Sequence, residues 1–403
     1  MAVVIVGGGN AGLQVADSLR RKGFEGDITL FAEEAHLPYQ RPPLSKKFLE
    51  GALAEARLTL RPEKFYADRA IDVRLDTKVT HIDKDAKTVL TDAGESIAYD
   101  QLVFATGARP RPLPGHEQQK GLHFIRTIDD IHALKEDLQG KKSALLIGGG
   151  FIGLEAAATL TTLGLKATVV EAMPSIMPGL VAPELAEFFR KAHEAKGVTI
   201  IEGASASNVD ANPSGGFTAM LSDGRAVSAD IVVIGIGVIP NSEIAEAAGL
   251  ACERGILVDE FGATSDPSVY AAGDCATGVI TRYEGRTRLE SVQNAVSQAA
   301  VVAGSIVGEK AAYADLPWFW SDQYDLKLQM AGLSRGYDQT VVRGDMESRS
   351  FSICYFKSGV LIAIDSVNAI KDHMAAKKLL DAGTDITPEQ CADTDTPLKD
   401  YIA

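Results

Sequence analysis

The sequence is poor in cysteine, in tryptophan and in basic charge, with four cysteines, two tryptophans, and 40 lysines and arginines against 54 aspartates and glutamates. The shortages of cysteine and of basic charge each remove a class of function. Cys252, Cys275, Cys354 and Cys391 stand far apart, with no C-x-x-C pair, so neither a metal cluster nor a redox dithiol is signalled and four reduced cysteines are expected. The seven histidines are scattered, and no H-E-x-x-H spacing offers a metal site. A net charge of −14 opposes nucleic-acid binding and attachment to anionic membranes, because neutralising phosphates requires a basic footprint. No apolar run approaches the roughly 18 to 20 residues that cross a bilayer. Residues 1–6 lack the basic start and the length of a secretion signal, so the expected location is the cytoplasm.

Glycine, by contrast, is abundant and patterned. In the middle of the chain an apolar run, residues 144–147, enters Gly148-Gly149-Gly150-Phe151-Ile152-Gly153, a G-x-G-x-x-G sequence. Its first glycine permits a tight turn, the second lets the backbone approach a pyrophosphate, and the third lets helix and strand pack closely. The helix expected at 154–163 offers its positive N-terminus to the phosphates. A buried strand is expected at 167–170. Glu171 stands at its end, where a carboxylate can accept the ribose hydroxyls and repels the 2′-phosphate of NADPH, favouring NADH. The same grammar opens the chain: a strand at 3–6, Gly7-Gly8-Gly9-Asn10-Ala11-Gly12, a helix at 13–21, a strand at 28–31, and Glu33 about 20 residues past Gly12. Two dinucleotide sites in one chain imply a relay.

Between and beyond them, the run 37–46 contains Pro38, Pro42 and Pro43 and is expected to be a stiff, extended loop holding Arg41 and Lys46. Residues 71–104 alternate like sheet and end in the turn Ala105-Thr106-Gly107; the strand at 230–236 ends likewise at Gly235-Ile236-Gly237. Asp274, after Gly273, is expected to enter the long helix at 291–306 as a ligand, an N-cap or both. From Tyr313 the composition shifts to antiparallel sheet, where Trp318 and Trp320 share one face as core or as an aromatic wall. The fold class is therefore α/β, with two Rossmann-type dinucleotide-binding domains and a C-terminal α+β domain with an antiparallel sheet. The expected domains are 1–110 with 241–312, then 111–240, then 313–403.

The motifs GGGNAG at 7–12, LPYQRPPLSK at 37–46, ATGARP at 105–110, HFIRTIDD at 123–130, GGGFIGLE at 148–155, YAAGDCA at 270–276 and PWFWSDQYDLKLQ at 317–329 together resemble the FAD-dependent ferredoxin reductases of bacterial oxygenase systems. The resemblance spans essentially the whole chain. It implies a glutathione-reductase-like fold, FAD in the first domain and NADH in the second. It also implies hydride transfer from NADH to FAD, then single electrons to a 2Fe–2S ferredoxin that supplies a cytochrome P-450 type monooxygenase or a Rieske dioxygenase. By the family's pattern, FAD contacts fall on Gly9, Ala11, Glu33, Arg41, Lys46, Val79, Arg126, Asp274 and Val292, with Trp320 near the isoalloxazine. Gly7, Gly12, Thr106 and Gly107 complete the first site; Gly148, Gly150, Ile152, Gly153, Glu171 and Gly237 form the second. The same pattern puts Lys46 beside the reacting flavin nitrogen, paired with Glu155, so that Lys46, Glu155 and Trp320 are the expected catalytic residues. The chain is expected to be a monomer or weak dimer.

Rival classes fit less well. A related NADH oxidase, peroxidase or disulfide reductase needs a redox cysteine just after the first loop, where Ser45, Lys46, Lys47 and Phe48 stand instead. A signalling flavoprotein like apoptosis-inducing factor is opposed by the −14 charge.

Overall fold

Strand Ala2–Val6 is the centre of the first sheet of the computed structural model, which describes residues 1–116 and 119–402. Asp27–Phe31 and Ile71–Arg74 lie on one side of it, Gln101–Phe104 and Val269–Ala271 on the other, all parallel. Its Val and Ile residues are buried in near-continuous runs, as a parallel sheet covered on both faces requires. Helix Asn10–Arg21 buries Leu13, Val15, Ala16 and Leu19 and places Arg20 and Arg21 in its last turn, where cations complement the helix dipole. A three-stranded antiparallel sheet, Val79–Asp83, Thr88–Thr91 and Ser96–Ala98, is inserted before the strand Gln101–Phe104.

Residues 1–40, 55–109 and 238–315 form one compact unit; residues 41–54, 110–237 and 316–403 form another. The second unit repeats the plan of the first. Ser143–Ile147 is central, with Lys166–Val170 and Thr199–Ile201 on one side and Ile231–Ile234 and Leu122–His123 on the other, again all parallel. An antiparallel sheet, Ala206–Ala211, Phe217–Leu221 and Ala226–Ala229, is again inserted before the return strand. This unit also holds the C-terminal five-stranded antiparallel sheet, in the order Trp318–Gln323, Leu326–Gly332, Val360–Val367, Ser350–Lys357, Gln339–Asp345, backed by helix Ile370–Ala382. Leu326, Leu328, Phe351 and Tyr355 share a core with Leu154, Leu185 and Phe189. No helix among the described residues is long and apolar enough to cross a membrane.

Three expectations are corrected. The run 37–46 is not extended throughout: the backbone N–H groups of Leu44 and Lys46 donate to the carbonyls of Arg41 and Pro43, and the chain turns into the short helix Lys47–Glu50. Proline fixes φ at a value suited to the second position of a turn, where Pro42 stands, and its missing donor is not needed there, so a proline-rich run need not stay extended. Asp274 does not enter the long helix. Strands Ala276–Val279 and Arg286–Thr287 intervene, and Ser291 caps Val292–Ile306 through Asn294 N–H at 3.1 Å. Finally, Cys354 and Cys391 are joined as a disulfide between the strand Ser350–Lys357 and helix Pro388–Ala392, while Cys252 and Cys275 are free thiols. Tertiary packing brings together two cysteines whose separation in sequence carries no motif.

Candidate functional site

The two glycine turns are geometric copies. Gly7 N–H donates to the Phe31 carbonyl at 2.9 Å, and Gly148 N–H to the Val170 carbonyl at 2.8 Å. Gly7 and Gly148 have φ of +123° and +110°, and a side chain on either would strike the return strand, at 2.1 Å from the Ala105 carbonyl oxygen and 2.3 Å from that of Gly235. A methyl on Gly12 would lie 2.0 Å from the Gly7 oxygen and one on Gly153 2.1 Å from the Gly148 oxygen, so both helices press onto their own turns. At Gly9 and Gly150, however, a methyl would meet nothing within 4 Å. No feature of the protein itself demands glycine there; a bound group needing close backbone approach does. Both following helices begin at these glycines with no side-chain cap and no acid in the first turn, leaving their N-terminal N–H groups to an anion. Two dinucleotide pyrophosphates fit this donor set.

Of the residues expected at the first site, Glu33, Val79, Thr106, Gly107, Asp274 and Val292 lie in the same unit as the first turn, and Arg41, Lys46, Arg126 and Trp320 in the second. Gly273 packs so closely that a methyl on it would lie 3.1 Å from the Ala11 Cβ and 3.7 Å from that of Ala295, bringing Asp274 and the helix that starts at Val292 to the head of helix Asn10–Arg21. Thr106 and Asn241 exchange hydrogen bonds, Thr106 Oγ1 donating to the Asn241 carbonyl at 2.6 Å and Asn241 Nδ2 to the Thr106 carbonyl at 2.9 Å, beside Gly107. Val79 shares a core with Val6 and Phe31. Glu33 is exposed and forms an ion pair with Lys78 at 2.7 Å.

The second turn differs in its acid. Glu171 is buried, its Oε2 accepting from Gly149 N–H at 2.7 Å and its Oε1 from Met173 N–H at 2.8 Å. It braces the turn directly, each oxygen keeping a lone pair for a ribose hydroxyl. Ile152, 43% exposed, presents an apolar surface where its counterpart Ala11 is buried, and Gly237 is exposed at the end of the return strand with φ of +95°.

Also in the second unit, Lys46 Nζ donates to Glu155 Oε2 at 2.7 Å. Glu155 is 5% exposed and Lys46 18%. Ser45 Oγ donates to the same oxygen at 2.6 Å and Ser321 Oγ to Oε1 at 2.7 Å. The loop is fastened to helix Phe151–Thr162 a second time, by Thr159 Oγ1 donating to the Ser45 carbonyl at 2.8 Å. Phe151, Glu155 and Thr159 recur every four residues on one helix face, a rise of about 6 Å per step. Phe319 and Ser321 recur every two on a strand, about 7 Å apart. The periods match, and Phe151 meets Phe319 at 5.0 Å between ring centres while Glu155 meets Ser321. Trp318 and Trp320 take the opposite face, half-buried, with ring centres 5.5 Å apart and the Lys377 ammonium 4.6 Å over the Trp318 ring. Arg41 donates to the Arg126 carbonyl, and Arg126 N–H to Asp130 in the capping box of helix Ile128–Asp137. Sequence reasoning missed Ser45 and Ser321; the one signal for Ser321 was a polar residue at a strand position whose neighbours two away are inward-facing.

Residues 1–299 match the family model described as pyridine nucleotide-disulphide oxidoreductase, and residues 318–402 the one described as reductase C-terminal. Rhodocoxin reductase of Rhodococcus erythropolis is 43% identical, over 100% of this chain and 95% of its own. The crystal structure of the ferredoxin reductase for the CYP199A2 system from Rhodopseudomonas palustris superposes with a TM-score of 0.97 at 44% identity, covering 100% of both chains. The covalent putidaredoxin reductase–putidaredoxin complex does so at 0.96 and 36%, covering 100% of this chain and 98% of that one. A glycine cradle in each unit, a lysine–glutamate pair under the second, and likeness along the full length therefore agree: the chain belongs to the pyridine nucleotide-disulphide oxidoreductase family, with that family's reductase C-terminal domain.

Proposed function

We propose that this protein takes a hydride from NADH on bound FAD and passes single electrons to a 2Fe–2S ferredoxin serving an oxygenase, either a cytochrome P-450 monooxygenase or a Rieske dioxygenase. The observation that carries the reading is the pair of open glycine turns, at Gly9 and Gly150, in a chain whose Lys46 is held by a buried carboxylate and which has no cysteine beside it. FAD, when bound, supplies the conversion between a two-electron donor and a one-electron acceptor. Gly7, Gly9, Ala11 and Gly12 hold its pyrophosphate, Glu33 its ribose, and Asp274 and Val292 complete that cradle. Gly148, Gly150, Ile152, Gly153, Glu171 and Gly237 hold NADH. Arg41 and Arg126 add positive charge beside the Lys46 loop.

Lys46 supplies the fixed positive charge that a reduced flavin ring requires, a preorganised charge costing no reorganisation during the reaction. Glu155 and the two serines keep that ammonium in one place. Trp320 offers a flat apolar wall that excludes water. The test is Lys46→Ala in the FAD-loaded protein: FAD stays bound, but anaerobic reduction by NADH slows by about 100- to 1,000-fold, the usual range for losing one preorganised donor at a reacting centre. Unchanged reduction in stopped flow would remove Lys46 from the site.

A further inference from the structure

Glu155 is the near end of a buried polar row that nothing in the cradles explains. Ser321, Gln323 and His193 are all fully buried, in a region whose neighbours are Leu326, Leu328, Leu185 and Phe189. An apolar row of equal volume would serve a core at no loss of stability. Instead each bond fixes the next. The carboxylate of Glu155 can only accept, so the Ser321 hydroxyl spends its proton on Oε1 at 2.7 Å. Toward Gln323 that hydroxyl can then only accept, which it does from Nε2 at 3.2 Å. Gln323 therefore turns Oε1 to His193 Nε2 at 2.8 Å, which must carry the ring's proton. Burial lowers the proton affinity of His193, leaving a neutral ring whose Nδ1 accepts the Tyr324 hydroxyl at 3.4 Å. Every donor in the row points toward Glu155.

We propose that Ser321, Gln323, His193 and Tyr324 are positioning residues for the electron-transfer reaction: a one-way row of donors that holds the Glu155 carboxylate aimed at Lys46. The proposal rests on the reading of Lys46 as the flavin's charge partner. Donors aligned head to tail polarise one another, so the last bond onto the carboxylate is stronger than a lone serine would make it. The charged and titratable groups recorded against the row are Lys46 at its near end and, at its far end, His193, Tyr324 and the Lys196 ammonium 5.8 Å from the Tyr324 ring centre. The role differs from that of Ser45, which donates to the oxygen already shared with Lys46 and belongs to the same loop.

The experiment uses the FAD-loaded full chain with Gln323→Met, a substitution of similar volume that removes the amide, and Ser321→Ala, with Glu155→Gln and the double variant Gln323→Met/Glu155→Gln. At saturating NADH, flavin reduction slows by about fivefold in Gln323→Met and in Ser321→Ala with the apparent affinity for NADH unchanged, and Gln323→Met does not slow the Glu155→Gln form further. Thermal unfolding of the four forms gives a coupled cycle, because Gln323 acts on Glu155 through Ser321. A wild-type rate in both single variants, or an additive cycle, overturns the proposal. A coupled cycle with Lys46→Ala still reduced at the wild-type rate overturns instead the reading of Lys46 on which the proposal rests.

Discussion

The two glycine cradles share one backbone plan and differ in what their side chains face. In the first, the acid at the end of the second strand, Glu33, is exposed; in the second, Glu171 is buried against its own turn. Two residues after the last glycine of each motif stand Gln14 and Glu155. Gln14 donates along its own helix, to Ser18 Oγ at 2.8 Å. Glu155 reaches out of its cradle to Ser45, Lys46 and Ser321. A common binding turn thus leaves the following helix free to diverge. One copy keeps its contacts along its own helix, and the other anchors a cation on a loop far away in sequence.

The largest effects expected from breaking this comparison are at Gly9 and Gly150. Gly9→Val should weaken FAD binding by about two orders of magnitude, since a side chain would occupy the space that lets a pyrophosphate meet the backbone. The protein fits the valine itself, so the chain should still fold, and fluorescence titration of FAD into the apoprotein measures the loss. Gly150→Val should keep FAD and raise KM for NADH by a similar factor. Both variants losing the same ligand would show that the cradles are not divided between FAD and NADH.

A smaller contrast separates the acids. Glu33→Ala should lower FAD affinity about tenfold by removing a charge-assisted bond to a ribose hydroxyl, while leaving the melting temperature unchanged because its ion pair with Lys78 is exposed. Glu171→Ala should raise KM for NADH and also destabilise the fold by about 2 kcal/mol, since it strands the N–H groups of Gly149 and Met173. Calorimetry on the two variants tells them apart; equal melting temperatures would contradict the bracing role of Glu171.

The turns, strands and helices of both cradles were legible in the sequence because local rules dictate them: glycine where φ is positive or atoms collide, and Val-Ile runs where a parallel sheet is covered on both faces. The Lys46–Glu155 pair was legible only through resemblance, since the two residues are far apart in the chain. Ser45, Gln323 and His193 were not legible, and Ser321 showed only as a polar residue at an inward-facing strand position. A polar residue on a strand's inward face is informative only once its partner helix is known. The Cys354–Cys391 bond was hidden for the same reason, as was the membership of residues 41–54 in the second unit.

The smallest effect concerns pH and again separates the units. In the second, burial pushes the Asp365 carboxyl up to about 7, with Tyr355 donating to it and Ala182 N–H donating to Tyr355 at 2.9 Å. A carboxyl whose folded value is raised contributes stability that is full below its unfolded value, near 4, and is lost as pH rises through the folded value near 7. The second unit should therefore melt a few degrees lower at pH 8 than at pH 6, and Asp365→Asn should remove that part of the dependence. An unchanged slope in the variant would assign the pH dependence to other groups.

The central claim is the direction of electron flow, and ferredoxin dependence tests it most directly. The FAD-loaded protein is mixed with NADH and cytochrome c, with and without a 2Fe–2S ferredoxin, while oxygen uptake is followed. Cytochrome c reduction that rises steeply with added ferredoxin, with little oxygen consumed, is the predicted result. NADH oxidation that proceeds at the same rate without ferredoxin, with oxygen as its acceptor, would contradict it.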